Sequence, residues 1–318
     1  MKKVENLKFL GDIISYTPEE SIHKTVLKRQ GIVKRSIIEI RTIIEDTRAN
    51  KIGGINLAFN LWDTVVSSLL YNSETWLNTQ KKTMKVLQNI FNSFYSSIFR
   101  IGKGAPIINY YWQAGSLTVE NLILQRKLMF WHHLKNLPSG SLAKEVLEKQ
   151  EEKGLPSLTT ELQVDLQEMK ISDPCNFSKW QFKRKVKEYV TEKTRKHLLE
   201  ESKKYKKVHY EEWKDEKFER KKYFSTLDLE GVRMVFRLSG EMFPARGNFP
   251  SKYRKDTLDC QFCKHLRDET IIESQTHLCL TCPAFDDIRV SLDLANSEQD
   301  LVTFFKAVTE RRMKLENA

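Results

Sequence analysis

Four of the chain's five cysteines lie between residues 260 and 282, in the run Cys260-Gln261-Phe262-Cys263 and its answer His277-Leu278-Cys279-Leu280-Thr281-Cys282. Thiols and an imidazole at such spacings suit one tetrahedral zinc ion. No other feature constrains the fold as much. A segment this short cannot build a core of its own, and a metal held by two ligand pairs takes the place of one. Two ligand sets fit the spacing. Cys260, Cys263, His277 and Cys282 read C-x2-C-x13-H-x4-C, whereas Cys260, Cys263, Cys279 and Cys282 read C-x2-C-x15-C-x2-C. His265 is a poorer ligand, because it follows Cys263 by only two residues and would strain the loop. A disulfide framework fits less well: the chain is 318 residues long, Met1-Lys2-Lys3-Val4-Glu5 has no signal-peptide pattern, and Cys175 is left over. An intracellular setting, nuclear or cytoplasmic, is expected on those grounds.

At this length two or three structural units are expected. Hydrophobic residues make up 40% of the chain, enough for a packed core. No apolar run approaches the roughly 20 residues that span a bilayer, so no membrane partner is expected. The net charge of +11 and the isoelectric point near 9.2 point to a polyanion, because lysines and arginines set against phosphates release condensed counterions. Surface lysines also serve solubility, so charge alone does not decide the partner. With 12 glycines and 8 prolines, the chain reads as predominantly helical.

The pattern predicts a short strand with a glycine bend over Lys8–Ser15. Thr17, Pro18 and Glu20 then open a helix, as cap, first helical residue and capping-box partner. It carries Ile22, Val26, Val33, Ile37, Ile40 and Ile44 on one face. A second helical stretch uses Leu57, Leu61, Val65 and Leu69. A third, from about Thr79 to Ile101, uses Met84, Leu87, Ile90, Phe94 and Ile98 and stops at Gly102. A fourth, from Val119 to about Leu137, buries Leu122, Met129, Phe130 and Leu134, with His132, His133 and Lys135 near its negative end. Gly154-Leu155-Pro156-Ser157 marks a linker. The fold class is therefore mainly α, with divisions at residues 1–16, 17–153, 154–223 and 224–318.

From Lys179 to Lys222 the chain becomes densely charged. Lys183-Arg184-Lys185, Lys203-Lys204 and Lys206-Lys207 are set among Trp180, Phe182, Tyr189 and Tyr205. Cations interleaved with rings are what a nucleic-acid surface uses. A solvated helix laced with Glu–Lys pairs, its aromatics turned inward, fits the same residues. Farther on, Arg233 and Arg237 lie one turn apart on an amphipathic helix over Phe224–Pro244.

These residues together resemble the C-terminal part of a non-LTR, LINE-type retrotransposon reverse transcriptase. Phe9-Leu10-Gly11-Asp12-Ile13-Ile14-Ser15 resembles the family's primer grip, with Phe9, Leu10, Gly11 and Asp12 at its centre. Leu70-Tyr71-Asn72-Ser73-Glu74-Thr75-Trp76 is similar to a Leu-Tyr-Gly-Ser-Glu-Thr-Trp signature, with Asn72 in the glycine's place. Arg233 to Leu238 resembles the arginine-rich stretch before the family's knuckle, and Glu273 to Phe285 its closing half. The resemblance implies a primer-grip hairpin, a helical thumb-like bundle, a charged connector and a small zinc knuckle. It favours Cys260, Cys263, His277 and Cys282 as Zn²⁺ ligands over the set with Cys279. It also implies RNA or DNA partners, a template-primer duplex among them, and the upstream part of the polymerase. Lys183, Arg184, Lys185, Lys203, Lys204, Lys206, Lys207, Arg233 and Arg237 are the expected nucleic-acid contacts; a zinc-containing protein-interaction module is the alternative.

A polymerase of this kind needs paired carboxylates, usually in a Tyr-x-Asp-Asp hairpin, to hold two metal ions. The sequence has no such motif. Its only Asp-Asp pair, Asp286-Asp287, follows the cysteine cluster, where a surface helix is expected. The chain alone is therefore expected not to polymerise, and no catalytic residue is assigned.

Overall fold

The computed structural model describes residues 7–9, 12–15, 17–46, 54–77, 79–101, 107–204, 217–240, 242–248 and 258–316. The fold is mainly helical. It opens with a small antiparallel hairpin, β1 (Leu7–Phe9) against β2 (Asp12–Ile14), in the register Phe9 opposite Asp12 and Leu7 opposite Ile14. Leu10 and Gly11 of the expected primer-grip segment lie outside the described residues.

Helix α1 (Pro18–Glu45) starts where the capping signal places it, with the Thr17 hydroxyl accepting the Glu20 amide at 3.2 Å. All six aliphatic residues expected on its face are buried. Glu20 does not close the capping box but pairs with Lys24 at 2.6 Å. Helix α2 (Gly54–Leu69) forms as expected but turns a different face inward. Ile55, Ala58, Phe59, Trp62 and Val66 are buried together with Leu69 of the expected set, whereas Leu57 is 40% exposed and Leu61 and Val65 are half-buried. The reason is area. A buried aromatic ring removes 150–250 Å² from water, more than any aliphatic side chain, so Phe59 and Trp62 set the rotation of the helix. Trp62 stacks on Phe94 with centroids 4.2 Å apart, and Phe59 meets the same ring edge-on.

Helix α3 (Lys81–Phe99) buries Leu87, Ile90, Phe94 and Ile98 and ends with Arg100 in a left-handed conformation. Gly102, the expected stop, lies outside the described residues. A short helix that the periodicity did not reveal, α4 (Ile107–Ala114), brings Tyr110, Tyr111 and Trp112 into the core. Helix α5 (Val119–Lys135) also turns from its expected face. Ile123, Leu128 and Trp131 are buried, whereas Leu122, Met129, Phe130 and Leu134 are half-buried. His132 is buried as well, its ring stacked on Phe182 at 4.2 Å with Nε2 at 3.1 Å from the Phe177 carbonyl oxygen. Packing, more than a helix-end charge, accounts for this histidine.

Helices α6 (Leu142–Glu152), α7 (Leu158–Glu168) and α8 (Lys179–Ser202) follow. The Gly154–Ser157 segment is a tight turn: Gly154 has φ +63° and Ser157 caps α7 in a capping box. Leu147, before that turn, and Leu158 and Leu162, after it, share one core with Leu128 and Trp131 of α5 and with Phe182, Val186 and Val190 of α8. The inner row of α8 runs Phe182, Val186, Val190, Thr194, Leu198 at four-residue steps, and Thr194 accepts a buried 2.8 Å hydrogen bond from Asn121. Over Lys179–Ser202 the charged segment is therefore an amphipathic helix packed on the bundle.

Helices α9 (Tyr223–Thr226) and α10 (Leu229–Ser239) return the chain to the main core. The C-terminal module contains α11 (Gln261–Arg267), α12 (Gln275–Leu280), α13 (Asp286–Arg289) and α14 (Glu298–Glu316). No helix among the described residues is long and apolar enough to cross a membrane.

Candidate metal centre

Local backbone structure assembles the cysteine cluster. Cys260 caps α11, which sets Cys263 on its first turn. A single β-bridge between Asp259 and Ile272, with Cys260 N–H donating to the Ile271 carbonyl at 2.7 Å, folds the loop back. Ser274 caps α12 by accepting the His277 amide at 2.9 Å, and the Cys282 amide then donates to the His277 carbonyl at 2.8 Å. His277 and Cys282 are thus fixed by hydrogen bonds within their own turn, and Cys260 by one across the loop to Ile271.

The ligand atoms of Cys260, Cys263, His277 and Cys282 all lie within 4.8 Å of one another, and all four residues are buried. The Cys282 sulfur is 3.8 Å from both the Cys260 and Cys263 sulfurs, and the Cys263 sulfur is 3.3 Å from His277 Nε2. Metal–sulfur bonds of about 2.3 Å in a tetrahedron give sulfur–sulfur edges of about 3.8 Å, so the donor set fits a tetrahedral ion. The imidazole is oriented as well. The Thr281 hydroxyl lies 3.3 Å from the His277 carbonyl, to which it donates, so its oxygen accepts from Nδ1 at 2.9 Å. The proton then sits on Nδ1, and Nε2 offers its lone pair to the centre. The hydrogen bond from Cys282 lowers the Cys260 thiol against the opposing effect of burial, and the same bond raises Cys282.

Cys279 stands outside the cluster and is half-buried. Successive helical residues turn by about 100°, so His277 and Cys279 point roughly 200° apart and cannot both face one ion. His265 is exposed.

The centre does not replace a core, as the sequence suggested; it is embedded in one. Cys260, Cys263 and Cys282 pack with Leu238, Phe262, Leu278, Phe285, Phe304, Phe305 and Val308. A buried carboxylate, Glu273, ties this module together: it pairs with Arg312 at 2.7 Å and accepts the Arg246 amide at 3.0 Å. Gly247 approaches so closely that a Cβ would sit 2.8 Å from the Glu273 carbonyl oxygen. Neither Thr281 nor Glu273 was picked out by the sequence, since nothing in the ligand spacing marks the residues that orient ligands.

The expected nucleic-acid contacts differ in burial and pairing. Arg233 is a correction. Its side chain is 1% exposed, bridging Glu45 at 2.9 Å and Glu230 at 2.5 Å while Nε donates to the Ile98 carbonyl at 2.8 Å, so it cannot reach a phosphate. The one-turn spacing with Arg237 does put the two on a common face, but that face packs on α1 and α3. Arg237 is half-buried and donates to the Arg100 carbonyl. Lys203 and Lys204 are exposed and paired with Glu200 and Glu201. Lys206 and Lys207 lie outside the described residues. Lys183 and Arg184 project from α8 into solvent, while Lys185 is half-buried with its ammonium 4.8 Å from the Phe177 ring. In the hairpin, Asp12 pairs with Arg29 at 2.5 Å and accepts from Asn72 at 3.0 Å. Asp286 and Asp287 are held by Arg289 and Arg311. The chain matches no protein-family model, no curated protein and no solved structure.

Proposed function

We propose that the chain is a nucleic-acid-binding piece of a non-LTR retrotransposon reverse transcriptase, with primer-grip, thumb and zinc-knuckle segments, that holds template-primer or target nucleic acid and does not polymerise by itself. The observation that carries this reading is that the four resembling segments join in pairs. Asp12 of the first bonds Asn72 of the second, and Gln275 in the fourth donates to the Leu238 carbonyl of the third at 2.9 Å. Three thiols and one imidazole are the donor set that Zn²⁺ takes in structural sites, so zinc is the metal assigned to Cys260, Cys263, His277 and Cys282. It would lock the loop between the two ligand pairs. The basic surface would follow phosphates with little regard to sequence.

Affinity for a primed RNA template, titrated against salt, tests the proposal. The logarithm of the binding constant should fall linearly with the logarithm of salt concentration, by about 0.7 to 0.9 per phosphate neutralised, and binding should exceed that to heparin. Equal or tighter binding to heparin would overturn it. That result would favour the second reading, a protein-interaction module, which Ile32 and Ile38 support by standing 62% and 64% exposed on α1. The upstream polymerase region is a partner suited to that face.

A further inference from the structure

The outer face of α8 carries an arrangement that neither the knuckle nor the hairpin uses. Lys179, Lys183 and Lys187 stand in one row at four-residue steps, all exposed and none in an ion pair among the described residues. The row advances about 12 Å along the helix and drifts only about 40° per step. Beside it stands Trp180, 66% exposed, with the Arg184 guanidinium 5.4 Å from the centre of its ring. Leaving an indole in water costs the free energy that burial would gain, about 25 cal/mol per Å². The neighbouring apolar residues Phe182 and Val186 are fully buried. Trp180 is thus an exposed ring beside this row of lysines, under an Arg184 that also pairs with Glu188 at 3.5 Å.

Lys179 also lines a groove of about 630 Å³ between α5 and the start of α8, whose wall includes Glu74, Gln125, Arg126, Phe130 and Asn136. Phe130 gives the groove an apolar surface. Its polar rim mixes cations with acceptors: Arg126 and Lys179 stand beside Glu74, which lies 4.0 Å from Arg126, and Asn136, whose amide nitrogen donates one hydrogen bond to the His132 carbonyl at 2.8 Å and whose oxygen can accept. Such a rim suits a nucleotide, whose phosphate meets cations and whose hydroxyls meet acceptors.

Resting on the reading that the chain binds nucleic acid, we infer that this face is a single-stranded RNA site: Lys179, Lys183 and Lys187 follow the phosphates, Trp180 stacks a base, and the α5–α8 groove takes a neighbouring nucleotide, with Glu74 and Asn136 accepting from its 2′-hydroxyl or base edge. A duplex keeps its bases stacked on one another and has no ring face to offer Trp180, whereas an unstacked strand does.

Fluorescence anisotropy with a labelled short oligouridine tests this on the full chain, with oligodeoxyuridine of equal length and an RNA duplex as parallel probes. Trp180→Ala should weaken oligouridine binding about 5- to 150-fold and leave duplex binding unchanged. Trp180→Phe, which keeps a stacking face, should restore most of the loss. Circular dichroism matching wild type guards against misfolding, which an exposed side chain gives little cause to expect. Wild-type affinity in Trp180→Ala, with wild type binding RNA, would overturn this site and leave the proposed function standing. Failure of wild type to bind any of the three probes would overturn both. Equal affinity for oligodeoxyuridine would overturn the assignment to RNA. Equal loss in Trp180→Ala of binding to polyglutamate would make the face an acidic-protein surface.

Discussion

At Asn72 the backbone enters the left-handed region, with φ 64° and ψ 12°. A residue with a Cβ resists that conformation, and asparagine resists it least after glycine. The glycine of the signature that this segment resembles, and the asparagine found here, therefore meet the same backbone demand. Asparagine adds a hydrogen bond to Asp12, which ties the turn to the hairpin. Asn72→Gly should keep the turn and lose only that tie, whereas Asn72→Val should cost about 1–2 kcal/mol more, read from denaturant midpoints. Equal stability of the two variants would mean that the conformation is not what the position requires. Arg233 shows the opposite situation, a charge whose sequence neighbourhood suggested an outward role. Its burial is tolerated because two carboxylates and one carbonyl occupy its donors, since an unpaired buried charge costs several kcal/mol.

Among the elements, α8 separates its charge from its packing most clearly. One row of apolar residues and Thr194 faces α5, and the cations fall on the rest of the surface. Those cations are not equivalent. Lys203 and Lys204 already have carboxylate partners one turn away, whereas Lys179, Lys183 and Lys187 have none among the described residues. Reversing Lys179, Lys183 and Lys187 to glutamate should reduce the salt slope of single-strand binding by about 0.7 for each phosphate contact removed. Reversing Lys203 and Lys204 should change it much less. The opposite ranking in a salt titration would place the binding surface near the end of α8. The aromatics of this segment do not all turn one way: Phe182 faces inward, and Trp180 does not.

In the whole molecule, Glu45 links α1 to α3 and α10. Burial alone would raise its carboxyl, but hydrogen bonds from Arg100, Arg233 and Arg41 outweigh it and hold the value near 2, below the ordinary 4.5. A lowered folded value stabilises the fold above the unfolded value and is lost as pH falls through the folded one. Acid unfolding of the wild type should therefore include a loss of stability between about pH 4.5 and 2 that Glu45→Gln lacks, measured by denaturant titration across that range. An identical pH profile in the variant would remove Glu45 from the account.

The sequence made the fold legible where one strong signal stood alone. The Thr17-Pro18 cap and the aliphatic row of α1 needed no tertiary information, and the spacing of the cysteines and His277 anticipated the four residues that meet at one point. It was misleading where two faces competed. In α2 and α5 the aliphatic pattern was outweighed by Phe59, Trp62 and Trp131, whose partners Phe94 and Phe182 lie on distant elements. The choice between His277 and Cys279 likewise depended on the helical turn between Ser274 and Thr281, which spacing alone does not contain. Arg233 was misjudged because its partner Glu45 is 188 residues away.

The most direct measurement is native mass spectrometry of the full chain after zinc-replete purification, alongside the His277→Ala and Cys279→Ser variants. The account predicts one zinc per wild-type chain, retained in Cys279→Ser and lost from stoichiometric binding in His277→Ala. A wild-type chain without zinc, or one that loses it with Cys279 and keeps it without His277, would contradict the assignment of the centre.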